Sequence, residues 1–438
     1  MSMWDALAKV YANGGLAVDI QDTIPEIVNL GGGTVFIPDG HYDWNGENVY
    51  HDGRVPLRLA SSRLAGVSGH LANWADNVAA VVLHNNKPQA PAPNNMPTMI
   101  DMGTNTHGQF ALSPCEVEGI EFKATPPRTY TEENGQEGQA ISFLQIPDFR
   151  IHHNNFVDFC NVAVGAGAND GWANVNISTY GVVDHNRFTN PYKKTAPIDG
   201  SQWAWGYGAY AGGYTPATNG FTKDISLLRG KYGPVAGAGI VYFEDNHFSY
   251  NRHATDAMDG GYPVVRYNLF DEPACMYSAA SANIHGPAYP SAYGAEYYKN
   301  KFIGAPRNGK PWNRSDSYYS IATGLRGGKS LVYDNDFVCS TPSSSNYFIQ
   351  LGAGDYVAGR EEQQIKETYI WNNTHTGTWF SKVDSPIVLN RDYFLQAFPY
   401  TPYPYPHPRA SNGVLPITHN LTVNSNINGV PFNIRKVS

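Results

Sequence analysis

Apolar residues recur at the three- or four-residue spacing of an α-helix in only one part of the chain, its first thirty residues. Beyond Gly31-Gly32-Gly33, short runs rich in β-branched and aromatic residues are separated by clusters of Gly, Pro and Asn. The pattern predicts one N-terminal helix followed by many short β-strands. The residues at helical spacing are Trp4, Leu7, Ala8, Tyr11, Ile20, Ile24 and Ile27.

One motif recurs along the middle of the chain: two or three apolar residues, one or two polar residues, then Asn-x-Phe. Its asparagines are 22 to 60 residues apart. A single strand–turn unit of this size cannot bury its own apolar face, so successive units must stack. The asparagines of the motif are Asn154, Asn186, Asn246, Asn268, Asn300 and Asn335, with a degenerate copy at Asn372.

The repeat predicts a parallel β-helix whose consecutive coils lie about 4.8 Å apart. The phenylalanines form an aromatic ladder inside it. The asparagines form a second ladder at the bends, where their amides bond to each other and their backbones tolerate the left-handed conformation. A β-sandwich would instead need hairpin turns every 8–12 residues or so, without a recurring Asn-x-Phe.

The opening of the chain, Asp19-Ile-Gln21 followed by Gly31-Gly-Gly-Thr-Val-Phe-Ile-Pro-Asp-Gly-His-Tyr42, resembles that of the pectate-lyase-like right-handed β-helix superfamily. The Asn-x-Phe coils extend the resemblance to about residue 375. It implies an all-β, right-handed parallel β-helix with an N-terminal capping helix. The superfamily holds lyases, hydrolases, epimerases, esterases and phage tailspikes, so the fold alone does not assign a function.

The predicted domain organisation is a capping-helix segment at 1–30, the β-helix at 31–398 and a Pro/Tyr-rich extension at 399–438 that packs on the solenoid. A long insertion at 200–240 accounts for the widest gap between asparagines. Its aromatic rings either bind sugars or pack the loop's own small core. The sugar-binding candidates are Trp203, Trp205, Tyr207 and Tyr210.

Composition narrows the function classes further. Charged residues make up 16% of the 438 residues, and the chain holds 44 Gly and 29 Tyr. This balance excludes a disordered chain and a helical bundle, and a net charge of −8 argues against nucleic-acid binding. No apolar run is long enough to span a membrane. The four cysteines lack metal-site spacing, so we expect them to be buried apolar residues.

The expected location is the cell exterior or the cell surface. The first ten residues lack the basic stretch and apolar core of a signal peptide. Low charge, abundant Gly, Asn and Tyr, and glycan-acceptor triplets such as Asn176-Ile-Ser nevertheless favour an exported protein.

Charged residues crowd between positions 252 and 285. Two Asn-x-His motifs place His253 and His285 each 15 residues before a ladder asparagine, so we expect the two imidazoles to lie one above the other. With Arg252, Asp256 and Arg266 they form the candidate catalytic set. The alternative is a polar ladder at the bends that satisfies itself by mutual hydrogen bonds.

Cleavage of a uronic-acid polymer by β-elimination needs a cation for the carboxylate, a base for the C5 proton and an acid for the leaving oxygen. The two arginines can neutralise the carboxylate or, as in similar lyases, take the proton, and the histidines can act as base or acid. Calcium is an open alternative, with Asp259, Asp271 and Glu272 as its candidate ligands.

Hydrolysis needs two carboxylates flanking the bond. The chain is similar, with departures at each position, to the ordered motifs of polygalacturonase-like hydrolases. These are Ala254-Thr-Asp256, Asp271-Glu272, Ile284-His-Gly286 and Arg326-Gly-Gly-Lys329. Arg326 is accordingly a candidate substrate-binding residue. We expect a polysaccharide lyase, with a glycoside hydrolase as the first alternative and a tailspike-like glycan-binding protein as the second.

Overall fold

The computed structural model describes most of the chain. The described residues are 3–64, 80–88, 98–103, 113–125, 139–159, 162–167, 179–190, 207–212, 225–232, 239–249, 251, 253–258, 260–271, 280–287, 291–304, 320–339, 346–352, 359–376 and 379–411.

Within these residues the strands form three long parallel sheets. Sheet A has twelve strands: β1 Ala8–Tyr11, β2 Gly33–Ile37, β5 Leu57–Ser61, β8 Cys115–Glu118, β11 Phe149–His152, β14 Gly181–Asp184, β17 Gly239–Glu244, β20 Gly261–Arg266, β23 Glu296–Tyr298, β26 Leu331–Tyr333, β29 Thr368–Trp371 and β32 Tyr393–Phe394.

Sheets B and C each have ten described strands. Sheet B comprises β3 Gly40–Asp43, β6 Val81–Pro88, β9 Glu121–Thr125, β12 Asn155–Val157, β15 Arg187–Thr189, β18 His247–Ser249, β21 Leu269–Asp271, β24 Lys301–Gly304, β27 Asp336–Cys339 and β30 Thr374–Thr376. Sheet C comprises β4 Val49–His51, β7 Ile100–Gly103, β10 Ile141–Leu144, β13 Val162–Gly167, β16 Tyr207–Gly212, β19 His253–Met258, β22 Ala280–Ile284, β25 Ser320–Leu325, β28 Asn346–Leu351 and β31 Trp379–Val383.

From β2 onward the chain visits sheets A, B and C in turn, and each strand pairs in parallel with its counterpart one coil later. This path is a parallel β-helix, and the predicted fold class is confirmed. In the described residues the only helices longer than one 3₁₀ turn are α1, Ala17–Asn29, and α2, Pro408–Ser411. Single 3₁₀ turns cover Met3–Asp5, Ser62–Leu64, Ile225–Leu227 and Glu361–Gln363.

The asparagine ladder lies at the bend between sheets A and B. Each side-chain amide donates to the Oδ1 of the asparagine one coil later, at 2.9–3.2 Å. The last member is Asn373, not Asn372, because Asn335 donates to Asn373 Oδ1. The left-handed conformation also falls one residue earlier than predicted, at φ of 53–58°. It is adopted by His153, His185, Asp245, Tyr267, Lys299, Asp334 and Asn372.

The phenylalanine ladder is confirmed inside the solenoid. Consecutive rings stack with centroids 4.4–5.4 Å apart from Phe122 to Phe302, and Phe337 continues the row edge-to-face. All of these rings are buried. Each contributes about 1.5–3 kcal/mol of transfer free energy relative to exposure, so the ladder is a major part of the core.

Helix α1 closes the N-terminal end of the core with its buried face, which includes Ile20, Ile24 and Ile27. It is shorter than the predicted segment 1–30, because residues 8–11 form β1 beside β2 in sheet A instead of extending the helix. In β1 half-buried and exposed positions alternate, and the edge of sheet A offers backbone partners that a helix would not use.

A C-terminal strap, residues 398–411, crosses the outer face of sheet A and covers a row of charged side chains. Arg150 makes two hydrogen bonds to Asp184, at 2.8 and 2.7 Å, and a third to the strap carbonyl of Ala410. Tyr405 donates to Asp245 Oδ1 at 2.7 Å. The strap therefore keeps these ion pairs out of water.

Cys115 in β8 is a buried free thiol, and burial raises its pKa to about 12. Such a thiol acts as a small apolar core residue, not as a nucleophile. The cysteines at 160 and 275 lie outside the described residues.

Candidate functional site

Three polar side chains from adjacent coils meet on sheet C. Asp256 lies in β19, and His285 and Arg326 each follow the last residue of their strand, β22 and β25. Ile284 and Leu325 are register partners, so the residues after them occupy the same position in neighbouring coils. The parallel stacking of coils therefore brings together residues that are 29 and 41 positions apart in the sequence.

The hydrogen bonds of this cluster determine the tautomer of His285. Arg326 Nη2 lies 2.8 Å from His285 Nδ1, and His285 Nε2 lies 3.0 Å from Asp256 Oδ2. A guanidinium can only donate, so Nδ1 accepts and the ring proton is on Nε2, which donates to the carboxylate. In this cluster Arg326 thus donates to a neutral imidazole, and the imidazole donates to Asp256.

Asp256 is almost completely buried, yet it stays ionised. Burial by itself would raise its pKa, but His285, His253 and Arg326 outweigh burial and lower the pKa to about 2. Its other oxygen accepts from Asn283 Nδ2 at 2.7 Å and from the backbone N–H of Ala257 at 2.9 Å. Asp256 therefore holds His285 in place and does not act as a proton donor near neutral pH.

The backbone at His285, Pro287 and Ser291 makes several hydrogen bonds. Ser291 Oγ donates to the His285 carbonyl at 2.9 Å, and Gln363 Oε1 accepts from the Ser291 backbone at 3.1 Å. Arg360 donates to the Pro287 carbonyl at 2.8 Å. These contacts hold the backbone that carries the imidazole, as a preorganised site requires.

The row continues beyond Arg326 along sheet C. Gly352 comes next; a Cβ there would lie 3.4 Å from Arg326 Cγ and 3.7 Å from Asp384 Oδ2. Lys382 Nζ lies 4.0 Å from Asp384. The half-buried Arg326 thus lies beside Gly352, and the partly exposed Asp384 and Lys382 lie beyond that glycine.

The expected stacking of His253 on His285 is wrong. Thr255 pairs with Ala282, which places His253 five residues away from the level of His285. Counting back from the asparagines failed because the connection from β22 to β23 is much longer than that from β19 to β20. His253 is buried, and its electrostatic effect helps to lower the pKa of Asp256.

Two further candidates lie on other sheets. Arg266 is on sheet A, fully buried, where it binds Glu244 and donates to the strap carbonyls of Tyr403 and Pro404. Asp271 is on sheet B, 3.5 Å from His247. The structure does not bring either residue to His285.

The remaining candidates lie wholly or partly outside the described residues. Arg252, Asp259, Glu272, Trp203 and Trp205 belong to segments that the structure does not describe. The backbones of Tyr207 and Tyr210 lie in β16 as register partners of His253 and Asp256. The predicted roles of these residues therefore stay predictions.

Sequence reasoning missed Asn283 as a functional residue, although the Asn-x-His motif contains it. It also treated Arg326 only as a substrate-binding residue, without its contact to His285. The sequence signal for that contact was that His285 and Arg326 each come directly after the last residue of a strand. It was obscured because the loops between these strands differ in length.

Among the described residues, two groups of side chains converge closely enough to hold a metal ion. One is His41, Asp43 and His84 on sheet B, and the other is Glu118, His152 and His153 at the bend between sheets A and B. Neither group contains Asp271, the only calcium candidate within the described residues. No helix in the described part of the chain is long and apolar enough to cross a membrane.

Comparisons with known proteins find structural similarity only. No protein-family model matches the sequence, and no curated protein matches it. DFA-IIIase from Arthrobacter chlorophenolicus A6 is 13% identical over 86% of this chain and 87% of its own, with a TM-score of 0.46. Alginate lyase from Paenibacillus sp. str. FPU-7 is 9% identical over 88% and 99%, with a TM-score of 0.41.

A third similar structure is ORF18 of Geobacillus virus E2, which is 13% identical over 84% of this chain and 56% of its own, with a TM-score of 0.35. These identities and scores are too low to transfer a function to this chain.

Proposed function

We propose that this protein is a polysaccharide lyase that cleaves a uronic-acid-containing glycan by β-elimination at the Asp256–His285–Arg326 cluster. The observation that carries the proposal is the contact of the half-buried Arg326 with the acceptor nitrogen of His285. A cation and a latent base lie side by side there, as abstraction of a proton next to a carboxylate requires.

The carboxylate of the sugar binds to Arg326, because a guanidinium matches a carboxylate in two parallel hydrogen bonds. This binding draws Nη2 away from His285 Nδ1 and frees the lone pair of that nitrogen. The neutralised carboxylate also makes the C5 proton more acidic, because it stabilises the negative charge that develops as the proton leaves.

In the elimination, His285 Nδ1 takes the C5 proton and the C–H electron pair forms the C4–C5 double bond. The C4–O bond breaks, and the leaving oxygen takes a proton from solvent. Asp256 remains ionised and stabilises the imidazolium through the Nε2–H bond of 3.0 Å. A general base positioned in this way contributes about 10²–10⁴-fold to the rate.

A glycoside hydrolase of the same fold is less well supported. An inverting hydrolase needs two carboxyl groups about 6.5–9.5 Å apart, and a retaining one needs them closer, with one group protonated. Asp256 has a pKa of about 2, so it is a poor general acid. Asp384 belongs to β31's coil, four coils from β19 and so about 19 Å away along the axis.

The test compares a panel of polyuronates with the same polymers after chemical reduction of their carboxyl groups. A lyase produces the ultraviolet absorbance of an unsaturated uronate from the acidic polymers and none from the reduced ones. New reducing ends without that absorbance indicate a hydrolase and contradict the proposal. Binding without either product indicates a glycan-binding protein.

The site is tested separately with His285→Ala. The variant is expected to lose 10²–10⁴-fold in kcat, since it lacks the base. The matched control is His247→Ala, a partly exposed histidine beside a carboxylate on sheet B, which should keep wild-type turnover. Equal turnover of the two variants would place the chemistry elsewhere.

A further inference from the structure

A second cluster of ligand-type side chains lies on sheet B, at the N-terminal end of the solenoid. Asp43 in β3 and His84 in β6 are direct register partners, and His41 lies two residues before Asp43 on the same face. The two exposed side chains, His41 and Asp43, are each 55% accessible, whereas His84 is 18% accessible. We propose that this group binds a divalent transition-metal ion of the zinc type.

The geometry of the three donor atoms carries the proposal. His41 Nε2 is 3.4 Å from His84 Nδ1, His84 Nδ1 is 2.9 Å from Asp43 Oδ1, and His41 Nε2 is 3.6 Å from Asp43 Oδ1. Ligands at about 2.0–2.2 Å in a tetrahedron are about 3.3–3.6 Å from each other. A point about 2.0–2.1 Å from all three donor atoms therefore exists just above their plane.

The tautomer of His84 is supported from the far side of the ring. His84 Nε2 lies 2.9 Å from Thr125 Oγ1 in β9. If Nε2 donates to this hydroxyl, the Nδ1 lone pair points toward the other two ligands. Histidine ligands of metals usually donate their second N–H to an oxygen in this way, which orients the ring.

A simple hydrogen-bonded His–Asp pair explains less of this arrangement. One proton on His84 Nδ1 can satisfy the contact to Asp43, but the same proton does not account for His41 Nε2 at 3.4 Å. A cation satisfies the three contacts together. Two imidazoles and one carboxylate also match the ligand preference of zinc-type ions, whereas calcium prefers oxygen ligands only.

The ion would connect the first two coils next to the capping helix α1. β3 and β6 belong to consecutive coils, and only three protein ligands converge among the described residues, which leaves one coordination position for water. Binding to the folded chain alone stabilises it by mass action. The bound ion would therefore cross-link two coils at the N-terminal end of the solenoid, and this site is separate from the cluster on sheet C.

Lys123 is the charged neighbour that opposes the ion. It is the register partner of His84 in β9, so its positive charge lies on the same face of sheet B, one coil from His84. Replacing it with a neutral residue of similar length removes this repulsion. Lys123→Gln is thus expected to bind the ion more tightly, an effect opposite to that of every ligand variant.

The experiment titrates Zn²⁺ into the metal-free 438-residue protein by calorimetry, and repeats the titration with Co²⁺ to record the visible bands of four-coordinate cobalt. His41→Ala, Asp43→Asn and His84→Ala should each weaken the site at least about tenfold, and Thr125→Val by about 10–100-fold. His247→Ala is the control, because the pair of His247 and Asp271 has no third ligand among the residues that the structure describes.

Thermal unfolding supplies a second readout. Zn²⁺ should raise the melting temperature of the wild type and of His247→Ala, but not that of Asp43→Asn, an exposed change that the fold tolerates. The proposal is overturned if the wild type binds no Zn²⁺. It is also overturned if all three ligand variants bind Zn²⁺ with the affinity of the wild type.

Discussion

Sheets A and C both carry stacked arginines, histidines and carboxylates, but they differ in what covers these side chains. On sheet A the strap of residues 398–411 closes over the row, and Arg266 is fully buried and donates hydrogen bonds to four residues. On sheet C, Arg326 is half-buried and contacts a basic nitrogen. The comparison teaches that crowding of charges alone does not identify a site, whereas an accessible guanidinium that contacts a basic nitrogen does.

The two arginines also differ in what their removal would cost. A buried ion pair that loses one partner leaves an uncompensated charge in a medium that cannot solvate it. An arginine at an accessible surface leaves only water in its place. Substitution can therefore separate a structural role from a catalytic one, and the following changes are ordered by the size of their effects.

The largest effect is expected for Arg266→Ala on sheet A. Its loss leaves Glu244 buried without its guanidinium partner, so the free energy of unfolding should fall by about 3–5 kcal/mol. Urea denaturation followed by circular dichroism measures this change. The kcat of the folded fraction should equal that of the wild type; a fall in kcat at unchanged stability would mean that Arg266 belongs to the active site after all.

Arg326→Ala on sheet C should show the opposite behaviour. Loss of the cation that stabilises the developing charge should lower kcat/KM by about 10²–10³-fold. The free energy of unfolding should change by less than about 1 kcal/mol, because the residue is only half-buried. Both quantities are measured on the same preparation, and destabilisation as large as that of Arg266→Ala would erase the distinction between the sheets.

Acidification should destabilise both sheets from about pH 4 downward, and the loss on sheet A should extend to lower pH than the loss on sheet C. The folded-state pKa values of Asp256 and Asp184 are both depressed, so each carboxylate stabilises the fold above the unfolded pKa and this stabilisation is lost as the pH falls. For Asp256, with a folded pKa of about 2, the loss of about 2 kcal/mol falls between about pH 4 and pH 2. For Asp184 it extends to lower pH.

Unfolding measured at a series of pH values in that window provides the check. Asp256→Asn should reduce, but not abolish, the slope of the pH dependence between about pH 4 and pH 2, because Asp184 still contributes there, and should leave the loss at lower pH in place. An unchanged slope would mean that Asp256 is not ionised in the fold.

The smallest effect is expected for Tyr405→Phe in the strap. The change removes one hydrogen bond to Asp245 and keeps the ring that stacks on Tyr267, so about 1 kcal/mol of stability should be lost. Tyr11→Phe is the control, because Tyr11 is 59% exposed and its change should stay within about 0.5 kcal/mol. Equal melting temperatures for both variants would show that the strap is held by its other contacts.

Much of the fold was predictable because its repeating unit is local in sequence. Each Asn-x-Phe places one amide at a bend and one ring in the core, and stacking follows because no unit can bury its ring alone. Phe122 was missed because Ile120 stands where later coils have asparagine, although its backbone N–H still donates to Asn154. The ladder end was misplaced by one residue, because Asn372 and Asn373 both fit the pattern.

For the candidate site, the sequence predicted which residues take part but not which of them contact each other. Asp256, His285 and Arg326 were all recognised as candidates, but the partner of each was not. Counting from the asparagines assumes connections of equal length, and the connection after β22 is longer than that after β19. The error paired His285 with His253 and missed the contact of His285 with Arg326, one coil further.

The sequence by itself determined the parallel β-helix, because the period of the repeat, its asparagine and its phenylalanine are properties of each coil separately. The tertiary structure decided which charged residues are buried away from water and which remain accessible to it. That decision depends on the lengths of the loops, which set the register between coils, and on the strap, which covers sheet A from a distant part of the chain. Neither is visible in a local pattern, since both arise from contacts between residues that are far apart in sequence.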